Sequence, residues 1–358
     1  MIYYIDYKKN QENNAGNKAP DDIAKICQEL QYSEFLVPSL PKDYSPIKSR
    51  IWILLHAPIW WRKLKKTVTE KDVVIYQHPM YGSRLALQKV KEIKESKGCR
   101  FIALVHDLES LRNGVEGEYK VKESTSSIAD NQLLKLFDKV ICHNKHMMDY
   151  LISKGFKKER LINLEIFDYL CNTPIKEQNH DLTETKIIIA GNLSWGKSKY
   201  IYEFGSAMKN ESNIRINVYG NKFDQSKAPD NICYKGSFNP DELPGILEGH
   251  FGLVWDGTSA QSCVGNTGEY LKYNDPHKTS LYIASGIPVI VWKQAAIADF
   301  IKQYNVGITV DSLLDIKKEI QNITFDDYEQ MRKNAISLGK KLREGFFTKA
   351  AINNALQE

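Results

Sequence analysis

Short runs of β-branched and aromatic residues alternate along the chain with longer stretches whose apolar positions recur every three or four residues. IYYI (2–5), EFLV (34–37), DVVIYQ (72–77), RFIALVHD (100–107) and DKVICH (138–143) read as strands. Amphipathic stretches near 20–31, 47–65, 82–96, 127–137 and 145–154 read as the helices between them. This alternation predicts right-handed βαβ crossovers and a parallel sheet. A polar, proline-containing stretch, NTPIKEQNHDLTET (172–185), interrupts the pattern. It restarts with KIIIAG (186–191), IRINVYG (214–220), FGLVWD (251–256), IPVIVW (287–292) and GITV (307–310). The expected architecture is therefore α/β, with one Rossmann-like domain over 1–171, a second over 184–325, and a helical segment over 326–358 that packs back across the first.

A chain of 358 residues exceeds what one core usually organises, in keeping with two domains. No stretch reaches the ~20 consecutive apolar residues of a membrane span, and MIYYIDYKKN lacks the basic front and long apolar core of a signal peptide. A cytoplasmic protein is expected. The six cysteines are scattered, without a C-x-x-C, as in compartments that keep thiols reduced. A net charge of +5 is too small for a nucleic-acid binder, but it is unevenly spread: residues 1–170 carry 28 Lys and Arg against 22 Asp and Glu. Within that half, WWRKLKK (60–66) sets Trp60 and Trp61 beside four cations on a predicted helix. Its two readings are a peripheral contact with anionic lipid at the inner face of a membrane, and a solvated face whose indoles pack inward.

Ligands of open α/β sheets gather beyond the carboxyl ends of the strands, so the residues just after each strand carry the chemistry. In AGNLSWGKS (190–198), Gly191 permits close backbone approach, Asn192 offers an amide, and Lys197 opens the next helix, a combination suited to phosphate. WDGTSAQSCVGNTGEYLKYNDPHKTSLY (255–282) is a long polar connection that ends at a predicted helix start. There His277, Lys278, Thr279 and Ser280 fall in the first turn, where unpaired N–H groups and the helix dipole attract an anion. The alternative is that Thr279 or Ser280 only caps the helix. LVHDLESLR (104–112) ends a strand in His106 and Asp107, either of which could serve as a general base, while Asp107 could equally cap the next helix. NNAGNKAP (13–20) places Gly16 and Lys18 on a turn after the first strand.

Several chemistries lack their motifs. There is no D-x-D, His143 and His146 have no companion ligands for zinc, and G-x-S-x-G is missing. No G-x-G-x-x-G follows the first strand, as an NAD enzyme would require.

The run FGLVWDGTSAQSCVGNTGEYLKYNDPHKTSLYIASGIPVIVWKQAAIADFI (251–301) resembles the donor-binding half of bacterial β-1,6-galactofuranosyltransferases. FIALVHDLESLR (101–112), EIFDYL (165–170), AGNLS (190–194) and NNAGNKA (13–19) are similar in the same order, so the likeness spans nearly the whole chain. Its most specific part is G-x-x-G-x-Y-L-K-x-N-x-P-H-K-T-S-L-Y from Gly265. A looser similarity reaches the streptococcal glucosyltransferases that extend adhesin glycans. The resemblance implies a GT-B fold, with acceptor bound mainly by the first Rossmann-like domain, UDP-sugar by the second, and reaction in the cleft. Residue by residue, it sets Gly191, Asn192 and Lys197 on the nucleotide side, Tyr219 near the base, His277, Lys278, Thr279 and Ser280 at the diphosphate, and Gly16 and Lys18 on the acceptor side. Many GT-B enzymes bind ribose through a Glu five residues before the strand-opening glycine. Here that position is Leu281, and Glu269 is the substitute. The expected reaction is hexose transfer from a UDP-sugar, most simply UDP-galactofuranose, to a glycan or lipid-linked glycan, with Asp107 as base, His106 as its competitor, and no metal. UDP-glucose as donor, a non-catalytic partner role and assembly as a homo-oligomer are the alternatives the resemblance leaves open.

Overall fold

Every run that the pattern marked as a strand pairs in one of two parallel sheets in the computed structural model, which describes residues 1–7, 15–41, 43–114, 125–177, 182–211 and 213–357. The first sheet contains β1 (Ile2–Tyr7), β2 (Ser33–Val37), β3 (Val73–His78), β4 (Arg100–Val105), β5 (Lys139–Cys142) and β6 (Leu161–Asn163), in the order β2-β1-β3-β4-β5-β6. The second contains β7 (Thr185–Asn192), β8 (Ile214–Asn221), β9 (Ile232–Gly236), β10 (Phe251–Val254), β11 (Val289–Trp292) and β12 (Gly307–Val310), in the order β12-β11-β10-β7-β8-β9. Central strands such as β3, VVIYQH, and β11, VIVW, are buried at every position. That is the signature of parallel strands covered on both faces by helices.

The chain divides into two compact units. One holds Pro20–Leu164 with the N-terminal strand and the chain from Thr348 onward, and the other holds Glu165–Phe347 with the turn that leads to Ala19. The helical C-terminus is thus shared. Helix Phe325–Arg343, opened by a Thr324–Asp327 capping box, lies in the second unit, whereas most of helix Phe346–Leu356 belongs to the first. There the Arg100 guanidinium donates to the carbonyls of Ala355 and Leu356 at 3.0 and 3.3 Å, a cation on the negative end of a helix. Lys349 pairs with Glu29 at 2.7 Å on the same unit.

The structure adds elements that the pattern missed. β6 is three residues long, and β9 alternates buried with exposed positions, so both edge strands lack the continuous apolar run. The stretch 255–282, expected as loop, contains helix Gly265–Tyr270. The stretch 127–137 is broken into short helical turns rather than one helix.

Helix Pro46–Thr67 buries Ala57, Trp60, Trp61 and Leu64. The two indoles stack at 4.1 Å in the core of the first unit, which corrects the reading that places Trp60 and Trp61 at a membrane surface. No helix among the described residues is long and apolar enough to cross a membrane.

Candidate functional site

Strand order in the second unit reverses between β7 and β10, where an open α/β sheet leaves its crevice. Pairing between those strands ends at Ile188 and Gly252, while β7 runs on beside β8 to Asn192. On the β10 side, the N–H of Ala190 therefore needs a different acceptor. The Tyr282 hydroxyl supplies it at 2.8 Å. Its ring reaches that position because residue 252 is glycine: a Cβ there would lie 2.1 Å from the Tyr282 Cγ. This bond fixes helix His277–Ala284 against the carboxyl end of β7.

One turn before Tyr282, and so on the same helix face, stands Lys278. Its Nζ donates to the Trp255 carbonyl at 2.7 Å, which uses one of three N–H groups. Burial holds the ammonium below the usual lysine range; the Asp256 carboxylate opposes that shift and Lys197 adds to it. Lys197 Nζ lies 3.9 Å from Asp256 Oδ2, so two cations and one carboxylate share the end of β10 and the start of two helices. Buried Cys263 lies close enough to feel Lys278, Asp256 and Glu269, and burial pushes its thiol up to about 12. It is neutral and adds no charge.

The helix that carries Lys278 is capped at Pro276 without any side-chain bond. Thr279 and Ser280 therefore do not cap it. The Ser280 hydroxyl donates to the Phe167 carbonyl at 2.6 Å, and Thr279 is fully enclosed. His277 Nε2 donates to the Asp168 carbonyl at 3.0 Å, and its ring stacks on Tyr169. Burial pushes its pKa down to about 4, against the pull of the Asp168 carbonyl, so it is a neutral anchor with its proton already committed. Of the four side chains expected at the helix start, Lys278 keeps charged donors to offer, and the fully enclosed Thr279 hydroxyl has no hydrogen-bond partner among the described residues.

Gly191 and Asn192 are exposed at the end of β7. Gly191 has φ +131°, a backbone conformation that side chains resist, although a Cβ there would meet nothing within 4 Å. Asn192 accepts from Ser194 N–H through Oδ1 at 3.0 Å and from the Ser198 hydroxyl through its carbonyl. GNLSWGKS, Gly191–Ser198, also has the G-x-x-x-x-G-K-S spacing of nucleotide-binding P-loops. Here, however, the N–H groups of Lys197 and Ser198 both bond to the Ser194 carbonyl in a helical turn. They cannot wrap a phosphate as P-loop amides do, and Lys197 contributes as a side chain.

Other expected residues go elsewhere. The Tyr219 hydroxyl accepts from Glu248 N–H at 3.1 Å in the core, and the exposed aromatic past β7 is Trp195. Glu269 is exposed and pairs with Lys272 at 2.6 Å. Lys18 is buried in the second unit, bonded to the Leu170 carbonyl at 2.6 Å and to Asp241 at 3.0 Å. Gly16 lies on an exposed turn. Asp256 is the site residue the sequence pattern did not single out; its signal is a carboxylate directly after a buried strand.

In the first unit, β3 ends in His78, and β4 and β5 are each followed directly by a histidine, His106 and His143. His78 Nε2 meets the buried Asp130 carboxylate at 2.8 Å, and Asp130 also accepts the Ser110 N–H. His143 bonds to the Val105 carbonyl, and burial brings its pKa to about 4. Both build the frame around His106, whose Nε2 bonds to Gln77 Oε1 at 2.7 Å. An amide oxygen only accepts, so that nitrogen carries the proton and Nδ1 is the accepting nitrogen of the ring. Asp107 does not cap the next helix, whose N-cap is Leu108; its Oδ2 holds Arg112 at 2.6 Å.

Models of the glucosyltransferase 3-like family match both halves of the chain, the N-terminal domain over residues 2–166 and the C-terminal domain over 187–355. The β-1,6-galactofuranosyltransferase WbbI of Escherichia coli is 29% identical over 100% of this chain and 99% of its own length. Glucosyltransferase 3 of Streptococcus gordonii is 24% identical over 95% and 93%. Among solved structures, sucrose-phosphate synthase of Thermosynechococcus elongatus superposes with a TM-score of 0.64 at 13% identity, covering 99% of this chain and 96% of that one. The lipopolysaccharide outer core galactosyltransferase WaaB gives 0.63 at 11%, covering 99% of each chain. HepE of Anabaena, solved with UDP and glucose, gives 0.59 at 12%, again with 99% of each covered.

Replacing Tyr282 by Phe keeps the ring and strands the buried Ala190 N–H. A loss of about 1–3 kcal/mol in urea unfolding of the second unit is expected. A change too small to resolve would mean that this bond does not hold the helix in place.

Proposed function

The chain belongs to the glucosyltransferase 3-like family and is a GT-B glycosyltransferase, and from that premise we propose that it transfers galactofuranose from UDP-galactofuranose to a hydroxyl of a glycan or lipid-linked glycan. The observation that carries the donor reading is Lys278, half-buried and unsaturated beside Lys197 at an uncapped helix start. A diphosphate supplies the negative charge such a place lacks. Full-length similarity to a galactofuranosyltransferase supports the choice of sugar, and the family's own name supports UDP-glucose as the second reading.

In the proposed step the acceptor oxygen forms a bond to the anomeric carbon as the bond to the diphosphate breaks. UDP departs, the acceptor proton passes to a protein base, and a single displacement inverts the anomeric centre. Charge that grows on the diphosphate is met by the Lys278 and Lys197 ammonium groups and by the helix N-terminus, groups already in place before the reaction. These cations take the part a metal plays in other transferases, so the reaction is proposed to need none. Gly191 and Asn192 line the nucleotide, and Glu269 meets the ribose, since an exposed pair such as Glu269–Lys272 is worth at most about 1 kcal/mol and yields to a ligand.

Calorimetry and turnover with UDP-galactofuranose and UDP-glucose in chelator-treated buffer test the donor. Preference for UDP-galactofuranose with undiminished turnover in EDTA is expected. Preference for UDP-glucose moves the assignment to the second reading, and loss of turnover in EDTA refutes the metal-free step.

Lys278→Ala should lower kcat/KM roughly 10²-fold or more. The pH dependence has a defined sign. Because the Lys278 pKa lies below the ordinary lysine value, its charge is fully present below that depressed pKa and is lost as pH rises through it. UDP affinity should fall on the alkaline side, earlier than a solvated lysine would dictate, and Lys278→Met should flatten that fall. An unchanged alkaline limb in the variant would assign the dependence to another group.

For the base, the geometry favours His106. Gln77 fixes its tautomer, while Arg112 occupies an oxygen of Asp107. His106→Ala should reduce kcat by roughly 10²–10⁴ with UDP affinity unchanged. Should Asp107→Asn prove the more damaging change, the proton goes to the carboxylate.

A further inference from the structure

Helix Pro46–Thr67 turns its indoles inward and a different set of apolar residues outward. Ile47, Ile51, Leu54, Leu55 and Ile59 are 53–71% exposed. Their spacing of four, three, one and four residues draws one stripe along the outer face of the helix for about three turns. Tyr44, at the entrance to the helix, is also exposed. Isolated surface leucines are ordinary; five large aliphatic side chains in one contiguous stripe are not.

The charges around the stripe choose its partner. The helix sequence, PIKSRIWILLHAPIWWRKLKKT, contains six Lys and Arg and no Asp or Glu. Lys65 pairs with Glu92, and Lys63 lies over the Phe35 ring. Lys48 and Arg50 at the start, and Arg62 and Lys66 at the end, have no ion-pair partner among the described residues. Apolar side chains flanked at both ends by unpaired cations complement a surface that is apolar beneath and anionic above. Two copies of this helix face to face would oppose like charges instead, with no carboxylate on the helix to offset them.

We infer that this outer face docks on an anionic lipid surface, with Ile51, Leu54, Leu55 and Ile59 entering the headgroup boundary and Lys48, Arg50, Arg62 and Lys66 reaching lipid phosphates. The helix lies in the interface plane. Its apolar stripe is too short, and too closely bounded by cations, to cross the bilayer. Each cation contributes about fivefold to partition at low salt, so charge and apolar area are both required for firm attachment. The inference uses no residue of the donor site and stands independently of the sugar assignment.

The full chain is sedimented with phosphatidylcholine vesicles and with vesicles of phosphatidylcholine and phosphatidylglycerol. Binding to the second only, weakening steeply with salt, is expected. Leu54→Glu together with Leu55→Glu should lower partition by at least about tenfold, and Arg62→Glu together with Lys66→Glu by a similar factor, with melting temperature and UDP affinity unchanged. Trp61→Ala should behave differently, losing thermal stability because its indole belongs to the core. The inference fails if the wild-type chain stays in the supernatant with both vesicles, or if the Leu54→Glu, Leu55→Glu variant sediments as the wild type does. It fails also if the wild type is an oligomer that this variant converts to monomers while neither binds lipid, which assigns the face to a second copy.

Discussion

The arrangement proposed to hold the donor depends on a single phenol. Tyr282 closes the gap that opens where β7 and β10 part, and it can do so only because Gly252 leaves room for its ring. Four residues earlier on the same helix face, Lys278 is thereby placed over the end of β10, within reach of the Trp255 carbonyl. The end of β7, with Gly191 and Asn192, is tied to the same point through Ala190. One hydrogen bond thus sets the distance between the backbone that would accommodate a nucleotide and the cation that would hold its phosphates. Gly252 shapes that arrangement through the Tyr282 ring alone.

That placement creates an electrostatic imbalance. Lys278 loses much of its hydration and gains a carbonyl in exchange, with Asp256 near and Lys197 pressing from the other side. Burying an ammonium without a direct carboxylate partner costs free energy, and the depressed pKa records that cost. The start of its own helix, whose amides have no side-chain cap, adds to the positive potential. Such an arrangement is a liability to an empty protein and an advantage to one that binds a polyanion, because the groups need not reorganise when charge develops. His277 shows the contrast within the same turn: neutral, stacked on Tyr169 and bonded to Asp168, it contributes rigidity rather than charge.

Legibility in the sequence obeyed physical rules. Central strands were legible because parallel strands covered on both faces need unbroken apolar runs; β6 and β9, at the edges, do not. Helix Gly265–Tyr270 was hidden by its glycines, which carry little helix preference. Lys278 was readable from its place at a helix start, and Gly191 from its place after a strand. The destinations of other side chains were not, because their partners lie far away in sequence: Ser280 bonds to Phe167, Tyr219 to Glu248, and Lys18 to Leu170 and Asp241. At Pro46–Thr67 the aromatic residues point to Trp60 and Trp61, while the four-three-one-four spacing of the aliphatic residues before them carries the surface information.

The ribose position shows how a departure from a family pattern can be accommodated. Where many GT-B enzymes carry a glutamate, Leu281 is buried in the helix that Tyr282 pins, packed where a carboxylate would lose its water without a partner. On the proposed reading, a polar contact to the ribose would therefore come from outside that helix. The stretch between β10 and His277 could deliver it, since its short helix carries Glu269 at the surface in an exposed pair with Lys272. A surface pair of that kind is cheap to break. On the proposed reading, a carboxylate on this connection rather than on a rigid helix would give the long 255–282 stretch a purpose that simple strand-to-helix passage lacks, and it would leave the helix start to Lys278.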